Sequence, residues 1–567
     1  MKKLKASRFP EYFALLLFAA AYIVITVFHE PWFDEAQAWQ IAKCASLKEI
    51  LFELPHYEGH PPLWHLILAV PAKLGVPYEI GLKTVGFLFA AAVAYIILFK
   101  SPFPRILRLL LPFNYFIFYQ YGVIVRPYGM MMLLMLLLAV VFPVRNEKPW
   151  RFGAVGMLLC ASHSYGLLIA GGVAICYLLD MFREKGARRF FREFFRDKRI
   201  GMLVCLLLLA LLIIAEIFPR EDTYAASKEA KNPFFLCLLC TVFSMLPDCF
   251  LSYMNWTGAS LVTVQEAEIS TANLMAVIIV GAALWFLIFC CSSKKSFQYF
   301  AVPYLLFAIF AAAVYFRAQH EGICLGIVMF WLWITFEDKD RFAFWKVFRS
   351  KMSERDAKLV SRAASVLILL CLLFPIYWTA AASVNDIKAE YSYGRGAAKF
   401  LKDTGLDKAL IFKAWTMPNE DNAGSNMFCS ADPTVLAYFD RNLFANISGG
   451  DARKAYTGHH NRTEEQIAQQ FESWRKLGLP DVLFGYAELS DVYGEDASTH
   501  GNYSPVYLAH EGNIYKDNSY DRYLLLLLRN DLLDDYDVEV QNVPEYFIGI
   551  PRISEETSAQ EKENAVR

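Results

Sequence analysis

Residues 272–291 read ANLMAVIIVGAALWFLIFCC, twenty consecutive positions without a charged side chain. That is the length an α-helix needs to cross a hydrocarbon layer about 30 Å thick. Residues 12–28 (YFALLLFAAAYIVITVF) and 82–99 (LKTVGFLFAAAVAYIILF) repeat the pattern, the second interrupted only by Lys83. Of the 567 residues 56% are apolar even with Gly left out and 20% are charged, whereas soluble domains run at about 45–50% apolar with Gly included. The chain reads as a multi-spanning membrane protein, which excludes a secreted enzyme, a fibrous protein and a sequence-specific DNA binder.

The same periodicity places spans at 11–28, 82–99, 106–121, 127–143, 151–166, 167–182, 201–218, 272–291, 297–316, 322–336 and 363–381, eleven in all. The basic start Lys2, Lys3, Lys5 and Arg8 resembles a secretory signal, but no small-residue cleavage site follows Tyr22, so the first helix is expected to stay uncleaved. With the N-terminus cytoplasmic, the basic segments 100–108, 145–151, 183–199, 294–295 and 339–362 all fall inside, the bias of the positive-inside rule. The apolar stretch 234–253 is ambiguous. Counted as a crossing it would invert every later loop, so it reads as an interfacial or re-entrant helix. The basic run Arg183 to Arg199, interleaved with Phe190, Phe191, Phe194 and Phe195, adjoins spans on both sides and reads as a surface helix on anionic lipid rather than a nucleic-acid site.

Net charge is −1 overall, but residues 1–382 carry 37 Lys+Arg against 26 Asp+Glu, and residues 383–567 carry 18 against 30. A basic membrane domain, 1–382, is therefore followed by an acidic, water-soluble domain, 383–567, expected to lie outside the cytoplasm. There the pattern predicts helices at 393–401, 433–438 and 464–476 and strands at 410–415 and 482–486, a small mixed α/β unit. Its aromatic and amide content suits carbohydrate or acceptor contact, and residues after Ile553 read as a frayed tail. Asn-x-Ser/Thr sequons stand at Asn255, Asn446 and Asn461. Cys429 is the one cysteine beyond residue 382, so this domain holds no internal disulfide.

Chemistry concentrates in the loop 29–81, which is too apolar and aromatic for a solvated linker. It opens His29-Glu30-Pro31-Trp32-Phe33-Asp34-Glu35-Ala36. Two adjacent carboxylates among aromatic rings after a membrane helix suit a general base, because partial desolvation raises carboxylate basicity. The plainer reading of Asp34 is a helix cap for the segment Ala36 to Ala45. Further on, Pro55-His56-Tyr57-Glu58-Gly59-His60-Pro61-Pro62-Leu63-Trp64-His65 gathers three histidines that could bind phosphate or move a proton. Pro61 and Pro62 rule out the helical i, i+4 pair of a zinc motif. His60 is a substrate-site candidate, against an interfacial imidazole fixed by proline packing.

An Asp-Glu-Ala stretch after the first span, a Tyr-Glu-Gly-His-Pro-Pro-Leu turn before the second, and many spans followed by a soluble tail resemble the GT-C superfamily. These are membrane glycosyltransferases that use polyprenyl-phosphate-linked sugars, here closest to the branch of protein O-mannosyltransferases, lipid A aminoarabinose transferases and lipopolysaccharide-core transferases. The resemblance covers roughly residues 10–180 and weakens over 200–382. It implies a first outer loop built of membrane-surface helices, an acidic residue at Asp34 acting as base or acceptor-orienting group, and a polytopic helical fold that is GT-C-like.

Two further features fit that reading. Arg126, followed by Pro127 and Tyr128, opens a span at its outer end, where a guanidinium either snorkels to headgroups or binds phosphate bidentately. The turn Tyr315-Phe316-Arg317-Ala318-Gln319-His320-Glu321-Gly322 offers Arg317 and His320 as donors to a leaving phosphate, with Glu321 orienting His320. His163 reads as a helix-end histidine. No GxxxxGK[ST] loop and no GxSxG elbow occurs, which argues against ATP hydrolysis and a serine hydrolase.

The sequence thus points to a multi-pass cell-membrane glycosyltransferase moving a sugar from a polyprenyl phosphate to a hydroxyl of a glycan, lipid or protein acceptor outside the cytoplasm. Asp34 and Glu35 are its catalytic candidates, and His60, Glu58, Arg126, Tyr128, Arg317 and His320 its substrate-binding candidates. No cofactor is required, a divalent cation is compatible with Asp34, Glu35 and a phosphate, and nucleic acid is not a partner. The alternative is a transporter or flippase of a lipid-linked or small anionic substrate, which usually shows internal repeats that are not evident here.

Overall fold

The computed structural model describes residues 8–223, 234–251, 271–415, 432–447, 455–456, 462–494 and 496–543. Asn255, Asn461, Cys429 and the tail after Ile553 lie outside them. Among the described residues nine helices are long and apolar enough to cross a membrane: Phe9–Phe28, Tyr78–Phe99, Pro127–Val144, Ser164–Lys185, Lys198–Ile217, Phe234–Leu251, Lys294–Ala313, Ala318–Glu337 and Glu354–Lys388. The protein is therefore a polytopic helical chain.

In chain order, α1 (Phe9–Phe28) leads into four short helices of the first long loop, α2 (Phe33–Cys44), α3 (Leu47–Phe52), α4 (Pro55–Glu58) and α5 (Leu63–Lys73), before α6 (Tyr78–Phe99). Ser46 and Glu49 form a capping box at the start of α3, the Glu35 carboxylate accepts from Trp32 N–H at the start of α2, and Gly59 takes a left-handed turn (φ 66°) after α4. The segment expected as one span at 106–121 is instead three pieces: α7 (Arg105–Leu110), a 3-10 turn (Leu111–Phe113) and a π-helix (Phe116–Val123). Pro112 withholds a donor there, and the Asn114 side chain accepts from Phe116 N–H (3.0 Å) in place of a helical partner.

Next come α8 (Pro127–Val141), α9 (Pro149–Ser162) and α10 (Ser164–Lys185). The break between the last two falls at His163 rather than at 166, because its side chain caps α10 by accepting from Tyr165 N–H (3.1 Å). After α11 (Ala187–Glu193), α12 (Lys198–Ile217) and α13 (Phe234–Leu251), the remaining membrane-domain helices are α14 (Thr271–Cys291), α15 (Lys294–Ala313), α16 (Gly322–Glu337), α17 (Ala343–Arg349) and α18 (Glu354–Lys388). The stretch read as interfacial or re-entrant, α13, has the length and apolar character of a crossing helix and buries Cys237, Cys240, Met245 and Cys249.

The bundle has two chemically distinct ends. At one end Arg105 and Arg108 pair with Glu11, Arg145 lies near Asp180, and Arg199 pairs with Glu184 and Asp197. The other end is capped by the C-terminal residues, which reach it through His29–Asp386, Arg395–Glu79 and Lys516–Glu321. Asp222, before α13, lies beside Tyr57, and Asp248, in the last turn of α13, lies beside Lys516.

No break occurs at residue 382, because α18 runs straight through it to Lys388. Beyond it, α19 (Gly394–Asp403), α20 (Asp432–Leu436), α21 (Glu464–Leu477) and α22 (Ser490–Tyr493) surround a sheet of order β1-β2-β4-β3. The parallel pair β1 (Ile411–Lys413) and β2 (Val482–Phe484) falls where the sequence predicts strands. The long antiparallel hairpin β3 (Tyr503–Tyr515) and β4 (Asn518–Arg529) was not expected. Asn446 is buried and its amide bonds both backbone groups of Lys413 (2.9 and 2.8 Å), so that sequon serves the sheet rather than presenting a glycan acceptor.

Candidate active site at the capped end

At the start of α2 the Glu35 carboxylate folds back to Trp32 N–H, which separates it from Asp34. Glu35 turns inward and is fully buried; one oxygen accepts from Val125 N–H (2.6 Å), the other from Trp32 N–H (3.1 Å) with His29 Nε2 at 3.5 Å. With both oxygens engaged, Glu35 anchors α2 to the residue preceding Arg126, and of the two expected catalytic carboxylates only Asp34 faces Arg126. Asp34 faces the opposite way, half-buried, and forms an ion pair with Arg126.

Arg126 sits just before α8 with Pro127 behind it, so its backbone is extended and its side chain projects from the helix mouth. Its guanidinium lies 5.9 Å from the Trp32 ring and 5.3 Å from the Tyr128 ring, an aromatic clamp that fixes the planar fork. Burial works against its charge, but Asp34 and the surrounding acidic groups more than offset this and push its pKa upward. The expected snorkelling to headgroups is therefore replaced by an enclosed pair.

Three imidazoles gather behind Tyr128. Its ring is 5.2 Å from His163 and 5.6 Å from His320, and His60 is 4.4 Å from His163. His320 Nδ1 accepts from Arg317 N–H (2.9 Å) and His163 Nδ1 from Tyr165 N–H (3.1 Å). In the neutral rings this leaves the proton on Nε2 in both cases, so each presents a donor. The Tyr128 hydroxyl and His163 Nε2 are buried and have no hydrogen-bond partner among the described residues. Buried polar atoms of this kind ask for an explanation, and a bound polar ligand is one.

Arg317 lies against Tyr315, whose phenol also feels Asp34 and Arg126. The structure thus joins Asp34, Arg126, Tyr128, His60, Arg317 and His320 in one cluster at the capped end. Glu58 is tied instead to α2, one turn past Asp34, by accepting from Gln37 Nε2 (3.1 Å). Among the described residues no group of three or more His, Cys, Asp or Glu is placed to share a metal ion.

Two participants were not legible as such. His163 is the helix-end histidine the sequence suggests, yet its second nitrogen belongs to the cluster. His29, fully buried, bonds Asp386 (3.0 Å), which also accepts from Tyr119 OH (2.8 Å), and so ties α1, α18 and the π-helix behind Glu35. Burial opposes the imidazolium, but Asp386 and Glu35 prevail and push His29 up to about 9. Comparison with family models, curated proteins and solved structures finds no match for this chain.

Proposed function

We propose that the protein is a membrane glycosyltransferase that moves a sugar from a polyprenyl-phosphate donor to an acceptor hydroxyl at the extracytoplasmic face. The observation that carries this reading is the Asp34–Arg126 pair, a candidate base and a guanidinium set beside buried, unpartnered donors at the membrane end that carries the C-terminal unit. The basic residues at the opposite end favour placing that end in the cytoplasm. A prenyl tail would lie among the apolar helices while its sugar phosphate meets the polar cluster, so no nucleotide site is needed.

In the proposed step Arg126 exchanges Asp34 for the donor phosphate. The acceptor oxygen attacks the anomeric carbon, its proton passes to Asp34, and the bond to the phosphate oxygen breaks with its electron pair leaving on the prenyl phosphate. Arg126, Arg317 and the Nε2–H groups of His163 and His320 stabilise that developing charge. Direct displacement inverts the anomeric centre. A cation could join Asp34 and the phosphate through hard oxygen ligands; the step as written does not depend on one.

The test is reconstitution with a panel of radiolabelled polyprenyl-phosphate sugars, comparing wild type with Asp34→Asn. A positioned base contributes about 10²–10⁴-fold, so the variant should lose at least a hundredfold while keeping donor affinity. Equal turnover would remove Asp34 from the reaction, and no transfer by wild type from any donor would refute the assignment.

A further inference from the structure

The β3–β4 hairpin turns on two residues, Lys516 and Asp517, and its tip does not stay in the C-terminal sheet. It enters the membrane domain beside Trp378, which lies eight residues before Asp386 on α18, about 12 Å deeper along the helix axis at 1.5 Å per residue. Lys516 is fully buried: its Nζ pairs with Glu321 (2.7 Å), donates to the Asp248 carbonyl (2.6 Å) and lies 4.9 Å from the Trp378 ring. Its backbone N–H donates to Tyr115 OH (3.0 Å). The neighbouring Tyr515 hydroxyl bonds the Ala318 carbonyl (2.7 Å) and Glu321 Oε2 (2.9 Å). Ala318 and Glu321 bracket the turn that carries Arg317 and His320.

Two features make this more than domain packing. Lys516 has φ 58°, a left-handed backbone that a side chain other than Gly, Asn or Asp rarely adopts, and such strain persists where surrounding contacts over-determine it. Apolar side chains would hold two units together at least as well as a buried ion pair, whereas the pair penalises any other register by leaving a charge unmatched. We propose that the hairpin tip is a positioning element of the candidate site: Lys516 and Tyr515, acting through Glu321 and the Ala318 carbonyl, fix the 317–321 turn so that Arg317 and His320 face the donor phosphate. The kinetic part of this rests on the glycosyltransferase reading; the structural part does not.

The test uses the full chain as wild type, Lys516→Met, the double variant Lys516→Met/Glu321→Gln, and Tyr515→Phe. Hydrogen exchange of purified protein should show peptides over 315–322 exchanging about tenfold faster in Lys516→Met, with part of the increase persisting in the double variant, where no charge is left alone but the tie from the tip to Glu321 is still missing. Tyr515→Phe deletes one hydroxyl, keeps the keyed ion pair, and should accelerate the same peptides by a smaller factor. If Lys516→Met fails to fold, the double variant and Tyr515→Phe carry the measurement. Unchanged exchange in the folded variants overturns the positioning role whether or not transfer is detected. In the transfer assay, kcat of Lys516→Met should fall about a hundredfold with KM within about threefold, and the double variant should regain only the part owed to the unmatched Glu321 charge. A loss confined to KM, or full recovery in the double variant, overturns it. Failure of wild type to transfer any sugar would instead strike the functional reading and leave the exchange result standing.

Discussion

Replacing Asp386 by Asn should weaken a pH dependence of stability that the His29 site builds into the wild-type protein. His29 is pushed up to about 9 from an ordinary 6.5, and a shift of that size corresponds to roughly 3 kcal/mol at about 1.4 kcal/mol per unit. The raised pKa sets the sign. The stabilisation is fully present below pH 6.5, where the imidazole is charged in both folded and unfolded chains, and it is lost as pH rises through about 9. Glu30, pushed up to about 7 chiefly by burial against the pull of Arg395, is lost in the same direction but in an earlier window, between 4.5 and 7. The two contributions therefore separate along the pH axis. Thermal unfolding of detergent-solubilised wild type and Asp386→Asn, followed by tryptophan fluorescence from pH 6 to 10, reads the difference. The variant should be less stable by up to roughly 3 kcal/mol near pH 6, with the gap narrowing from pH 6.5 and closing above about 9. Parallel curves across that range would refute the proposition that Asp386 holds His29 charged.

Arg126→Lys keeps the charge but loses the fork clamped between Trp32 and Tyr128, so transfer should fall by about 10²-fold in kcat; wild-type kcat in a reconstituted assay would show that the clamp is not used. Gly172 on α10 faces Pro303 of α15 so closely that an added Cβ would meet its backbone at 2.7–2.9 Å. Gly172→Ala should destabilise by about 1–3 kcal/mol, seen as a lowered melting temperature, and an unchanged melt would contradict that packing. Glu79 accepts two bonds from Arg395 and one from Tyr438, all partly exposed. Glu79→Gln should cost only about 1 kcal/mol, yet increase limited proteolysis between the two units; identical cleavage would show that this contact does not hold them.

How far the sequence could be read follows from the range of the interactions. Apolar periodicity is local, so most membrane helices were visible, as were α19, α21, β1 and β2. The π-helix and the break at His163 depend on Pro112, Asn114 and a side-chain cap, which compete with the periodic pattern over a few residues. The hairpin escaped because Pro505 interrupts β3, five consecutive leucines mask the alternation of β4, and Lys-Asp is not the usual glycine- or asparagine-bearing turn. In the candidate site, Asp34, Arg126, Arg317 and His320 stood out because charge at the end of an apolar helix needs a reason. Adjacency in sequence says nothing of direction, so the turn of Glu35 away from Asp34, towards the N–H groups of Trp32 and Val125, was not legible there. The Asp386 partner of His29 lies 357 positions away, and no local pattern could have found it.

The most direct test of the central claim is the fate of the donor itself. Proteoliposomes carrying the protein and a doubly labelled polyprenyl-phosphate sugar should release prenyl phosphate in a one-to-one ratio with glycosylated acceptor. Intact donor recovered from the opposite leaflet, with no prenyl phosphate formed, would contradict the account and make the same cluster a carrier's binding site.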